Sequence, residues 1–219
     1  MKVPQGFAYI STTLKGVIAQ YMNDRDKDFA LQCFKHWCSQ CKNMIRATPH
    51  EPESIAYTLH SVIDDRIADM RAKSVMGRHI QCRKGCAACC HMSVDVFPQE
   101  AALLHRIAQE KGIKLDRDKL KRQAEKDSAT WRHLAPEDQA CPFLSEDRAC
   151  RVHEHRPAAC RKHHVKTDPD LCDSMKHPGA QVGMVFDIEA EIIASAAMTT
   201  YGVGTMAQML LENEPEVAR

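Results

Sequence analysis

Apolar residues recur at steps of three and four along most of the chain, and this spacing predicts helices. Ile55, Leu59, Val62, Ile63, Ile67 and Met70 mark one face of an amphipathic helix. Glu51-Pro52-Glu53 stands in front, with acids and a proline suited to a first turn. Pro98 to Lys111 predicts another, with Ala101, Leu104, Ile107 and Ala108 on one face and Gly112 as its stop. Asp116 to Leu134 is charged and helix-prone until Pro136 ends it, which suits an outer, solvated helix. Phe7 to Arg46 also predicts helix, apart from a polar break around Asn23-Asp24. Asp187 to Ala197 opens a long C-terminal helix, and Ser93 to Phe97 is the one short run that alternates like a strand. The expected fold class is mainly α: a compact helical domain with cysteine-rich metal-binding loops.

Ile192 to Leu211 is twenty residues without a charge, long enough in principle to span a bilayer. It carries Ser195, Thr199, Thr200, Thr205 and Gln208, is interrupted by Gly202 and Gly204, and lacks a flanking Lys/Arg cluster. A helix buried in a protein core and broken near Gly202 is the better expectation. No internal repeat and no Gly/Ser-rich linker divides the 219 residues. The chain therefore reads as a single domain, 1–219. Within it lie a helical N-terminal part (1–80), a cysteine-cluster metal-binding core (80–165) and a C-terminal helix or helices (178–219).

Composition changes this picture mainly by exclusion. The net charge of +1 gives no field that would draw the whole chain onto nucleic acid or an acidic membrane. Aromatic residues make up 5%, too few for a base-stacking surface. Neither nucleic acid nor a membrane is an expected partner. Met1 to Gln20 holds no long apolar run, because Lys15 breaks the one candidate, so no secretory signal is expected and the chain reads as cytoplasmic. In a reducing cytosol disulfides do not persist, and the cysteine count of eleven is odd.

Those cysteines carry the chemistry. Cys82, Cys86, Cys89 and Cys90 fall within nine residues, and Cys141-Pro142, Cys150 and Cys160 follow after a helical gap. Thiols this dense repel one another once ionised, and a cation held by several thiolates resolves that conflict. A four-cysteine zinc site usually takes two Cys-x2-Cys knuckles. The first group departs from that pattern, because adjacent Cys89 and Cys90 do not easily face one ion, so the doublet suggests two metals or a polynuclear cluster. Gly85 would relieve the backbone between Cys82 and Cys86. The two helices expected between Cys90 and Cys141 form a hairpin that would return the chain to its start and merge both groups.

The Cys-x3-Cys-x2-Cys spacing is similar to the triad of radical-SAM enzymes, but the chain lacks the repeating strand–helix pattern of their barrel. Cys141-Pro142 has the pairing seen in ferredoxin-type cysteine runs, and Arg151, Arg156 and Arg161 place cations beside the thiols in sequence. Taken together, Cys82-x3-Cys86-x2-Cys89-Cys90, Cys141-Pro-Phe-Leu and Cys150…Arg156-Pro157-x2-Cys160-Arg161 resemble the YkgJ-like cysteine-cluster family, over about residues 80 to 165. The resemblance implies that Cys82, Cys86, Cys89, Cys90, Cys141, Cys150 and Cys160 are zinc or iron ligands. Flagellin lysine N-methylases look like larger relatives with the same cysteine pattern, which implies an iron–sulfur cluster.

Other candidates have plainer explanations. Cys38-Ser-Gln-Cys41 has the spacing of a metal knuckle or a redox pair, yet one helical turn apart the two thiols equally suit packing. Cys33 and Cys172 lie outside the resemblance. His153, His155, His163 and His164 read as solvated histidines or a basic loop, and Met206 and Met209 as core filler. No phosphate-binding glycine loop, His-Glu-x-x-His helix or nucleophile elbow is present in the sequence.

Three function classes follow. The first is a metal-cluster protein, with an iron–sulfur cluster (4Fe–4S in type) preferred over zinc, serving redox chemistry or the modification of a partner protein or peptide. The second is a peptide- or protein-modifying methyltransferase resembling the flagellin enzymes. The third is a zinc-stabilised structural or interaction module.

Overall fold

The computed structural model describes residues 22–214, apart from 84, 128, 174 and 175, together with Lys15 and Ile18. The expected helix from Phe7 onward, up to residue 21, and the reading of residues 1–20 as free of a secretory signal lie outside the described residues, apart from Lys15 and Ile18. The polar break at Asn23 is a helix start. Its side chain accepts from the Asp26 amide at 2.9 Å, opening α1 (Asp24–Ala47) with Asp24 and Asp26 in the first turn.

Helix α2 (Pro52–Lys73) begins on the expected proline and buries Ile55, Leu59, Ile63, Ile67 and Met70. Helix α3 (Pro98–Glu110) packs beside it, and α4 (Arg117–Ala124) follows. The solvated helix expected over Asp116 to Leu134 stops at Ala124. Asp127 ends it by gathering the Ala129 and Thr130 amides at 3.1 and 2.8 Å, a local turn that competes with helix. Pro136 then starts the short α5 (Pro136–Gln139) instead of closing a longer helix.

Helix α6 (Ala158–Arg161) is a single turn. Helix α7 (Ile188–Tyr201) buries every residue from Ala190 to Met198, which is why its sequence looked membrane-like. It packs on α1 and α2, and Gly202 ends it at φ 93°, as the sequence suggested. No helix among the described residues is long and apolar enough to cross a membrane. Helix α8 (Met206–Glu212) closes against α3 and α4.

Two antiparallel pairs of short strands complete the mainly helical fold. β1 (Asp95–Val96), within the expected strand, pairs with β4 (Gly204–Thr205), Asp95 facing Thr205. β2 (His164–Val165) pairs with β3 (Met184–Val185). The core runs through Leu59, Ile63, Phe97, Leu103, Ile193 and Leu210.

Where α2 ends, the chain turns so tightly that Gly77 lies on the helix backbone. A Cβ there would clash with the Met70 carbonyl oxygen and carbon and with the Arg71 Cα, all three main-chain atoms. Gly77→Ala is therefore expected to cost about 2–3 kcal/mol, read as a lower midpoint in equilibrium urea unfolding.

Candidate metal centre

The first cysteine segment is tied at both ends. The Gln81 amide donates to the Val165 carbonyl at 2.8 Å, and the Val165 amide donates to the Cys82 sulfur at 3.4 Å. Gly85 takes φ 85°, the left-handed turn expected between Cys82 and Cys86. A 3₁₀ turn over Ala88–His91 then carries Cys89 and Cys90. The thiols of this doublet hydrogen-bond to each other, which pushes the Cys89 thiol up ahead of burial. The two thiols are close enough to interact, although adjacent side chains on such a turn point in different directions.

The chain returns as expected, but not through a packed hairpin, because α3 and α4 each rest on α8. The Cys141 amide donates to the Cys90 carbonyl at 2.7 Å. Gln123, buried on α4, holds this approach by donating to the carbonyls of Asp138 and Ala140 at 2.6 and 2.9 Å. Cys150 follows on a tight turn in which Leu144 and Cys150 form an antiparallel bridge, with Arg148 at φ 59°.

Cys160 sits in α6, and the residues around it are anchored to three helices. The Ala158 amide donates to Glu100 of α3 at 2.6 Å. Glu100 is fully buried, also meets His60 of α2 at 2.8 Å, and accepts from the Phe97 amide at 3.3 Å. Arg161 is spent on the carbonyls of Arg156 and Glu154 and on Asp64 of α2. Lys162 grips both Glu191 oxygens of α7 at 2.7 Å. Arg161 is thus a structural clasp, whereas the sequence placed it among the cations facing the thiols. Arg151 donates to the Pro142 carbonyl at 2.8 Å. Cys89 is raised by Cys90 and burial and Cys150 by burial, and of the three arginines Arg156 opposes both shifts.

Mutual influence shows which thiols stand together. Cys160 is pushed well above the ordinary thiol value by burial, then by Cys141, Cys89 and Cys150. Burial lifts Cys141 to about 12, with Cys150 and Cys89 adding to it. On the other side, Cys82 is raised by burial and by Cys86 and Cys89. Cys172 joins this side: burial and then Cys86, Cys82 and Cys89 lift it to about 11. Cys89 is therefore coupled to Cys82 and Cys172 on one side and to Cys141, Cys150 and Cys160 on the other, with Cys90 next to it in the chain.

Burial raises the Cys82, Cys141 and Cys150 thiols, while amides and cations around the same three sulfurs act in the opposite direction. Amides of Val165, Phe143 and Val152 donate to the sulfurs of Cys82, Cys141 and Cys150. Arg71, Lys119 and Lys111 add positive potential at the same three sulfurs. A soft cation reconciles the two tendencies, so the donor chemistry fits zinc or iron. Among the described residues, no three cysteine, histidine or carboxylate side chains form a ready cage for an ion. Gathering the sulfurs is left to rotation between staggered χ1 wells.

The sequence leaves Cys172 open between a ligand and a spare thiol, because its nearest thiol, Cys160, is twelve residues away. The available signal was Asp168-Pro169, where the Asp168 side chain caps the 3₁₀ turn Pro169–Cys172. The other cysteines stay apart. Cys41 is fully buried on α1, lifted to about 11 by burial, and Tyr201 donates to its carbonyl at 2.9 Å. Cys38 faces the Ala196 carbonyl of α7 at 4.0 Å, and burial is also what raises Cys33.

His164 is buried at 4% exposure without a partner for either ring nitrogen among the described residues. Burial, then Arg71, Arg156 and His163, hold its pKa down to about 4 from 6.5. Between those values the unfolded chain binds the proton that the folded one refuses, so stability falls as pH drops from 6.5 towards 4. The loss is expected to be about 2 kcal/mol, and His164→Leu should flatten it in urea melts at pH 7 and 4.5.

Residues 81–177, less than half the chain, match the model of the CxxCxxCC family, described as "Putative zinc- or iron-chelating domain". This is the family that the cysteine spacing resembles, and the matched segment includes Cys172. A metal-binding segment in a mainly helical protein is what fold and comparison together support. No curated protein and no solved structure matches the chain.

Proposed function

We propose that the chain holds a polynuclear metal–thiolate centre, iron–sulfur in preference to zinc, that serves redox chemistry or the modification of a partner polypeptide. Its ligands come from Cys82, Cys86, Cys89, Cys90, Cys141, Cys150 and Cys160, with Cys172 as an eighth thiol. The observation that carries this reading is the set of amide donors and cations around partly buried cysteines, a surrounding that neutral thiols do not need and a bound anionic cluster does. Eight thiols also exceed what one tetrahedral ion uses. When bound, such a centre supplies one-electron transfer. The chain's own part is to hold the sulfurs in place, through the clasps on α6, and to keep them from bulk water. Free thiols in these numbers suit a reducing, cytoplasmic compartment.

Metal content of single variants tests the ligand set. Cys160→Ser and Cys172→Ser should each lower bound metal per chain, and Cys41→Ser should leave it unchanged. Equal metal content in all three variants would contradict the assignment.

A further inference from the structure

Met92 is half exposed, at 51%, directly after the turn that carries Cys89 and Cys90, where its amide donates to the Cys89 carbonyl at 3.2 Å. Three cavities border the thiols, and Met92 lines all of them. One, of about 180 Å³, reaches Cys89 and Cys160. A second, of about 360 Å³, reaches Cys172. A third, of about 20 Å³, reaches Cys141. One flexible side chain thus stands at the junction of the solvent-sized spaces that lead to both groups of sulfurs.

We propose that Met92 is a transient metal-binding site, the port through which a soft or borderline-soft cation is loaded onto the cysteines. The proposal rests on the metal-centre reading above. A thioether is uncharged and polarisable, so it holds such a cation weakly and releases it to a stronger donor. Thiolates deeper in the cavities are that donor. Met198, 5% exposed, lines the first cavity with Cys89 and Cys160, so softness continues inward. Lys162 on the same wall is paired with both Glu191 oxygens at 2.7 Å, and burial and Lys162 lower the pKa of His163, so the wall presents no unpaired cation at these two residues. The cation leaves one thioether lone pair for thiolates, each ligating thiol gives its proton to water, and nothing is oxidised or reduced.

The test is the rate at which reduced, metal-free protein takes up Cd²⁺, followed by the thiolate-to-metal charge-transfer band. Met92→Leu preserves size at an exposed position, so its melting curve should match the parent. Uptake is expected to slow on the order of tenfold, with the same final Cd²⁺ per chain. Met76→Leu, equally exposed at 42% but away from these cavities, should load at the parent rate. Met92→Leu loading as fast as the parent would overturn the port and leave the metal centre standing. A parent protein that shows no charge-transfer band would overturn the metal centre and the port with it.

Discussion

Glu100→Ala is expected to destabilise the protein by about 3–5 kcal/mol. The carboxylate is fully buried and joins three elements: His60 on α2, the Phe97 amide at the start of α3 and the Ala158 amide beside Cys160. Truncation strands two buried amide donors and the imidazole at once, around a side chain with no exposed surface. Glu100→Gln should cost less, because the amide oxygen keeps one acceptor, but its NH₂ then faces a donor. Thermal melts should rank the parent above Gln and Gln above Ala. The same variants should expose Cys160 to alkylation in the metal-free protein, since the turn that carries it loses its hold on α3.

Removal of metal is the second large effect. A ligand that binds only the folded chain stabilises it by about 4 kcal/mol at a thousandfold excess over its Kd, or roughly 10 °C at this size. Chelation, or Cys86→Ser together with Cys150→Ser, should lower the melting temperature by that order. Protease sensitivity should rise around Cys82 to Cys90 and Cys141 to Cys172, where the fold relies on turns. Helix α2 should persist, because Leu59, Ile63 and Met70 are packed in the apolar core and not around the sulfurs. An unchanged melting curve after complete metal removal would contradict a structural role.

The helices that matter were legible because burial repeats with helical period. Ile55 to Met70 and Ala101 to Ala108 turn the expected faces inward, and Gly202 breaks the apolar run where its missing Cβ permits a positive φ. The density of Cys82 to Cys90 and the return of the chain to Cys141 were also legible, but not the packing of α3 and α4 on α8 that makes the return. What the sequence could not convey is direction over distance. Arg156 and Arg161 are equally basic in the string, yet one adds positive potential at the Cys150 thiol and the other is consumed by carbonyls and Asp64. Glu100 reads as an ordinary acid in a first turn, and only the arrival of Ala158 from 58 residues away makes it a clasp. Cys172 had no neighbour in sequence to mark it. Asp127 hid a turn inside a helix-prone run, because its side chain offers amides a local acceptor that a pattern of charges does not show.

The most direct test is to purify the protein without air and measure iron, zinc and acid-labile sulfide per chain. The account predicts a brown protein with iron and acid-labile sulfide in comparable amounts and little zinc. Stoichiometric zinc, with neither iron nor acid-labile sulfide, would contradict the iron–sulfur assignment, and protein free of all three after anaerobic purification would contradict the metal centre itself.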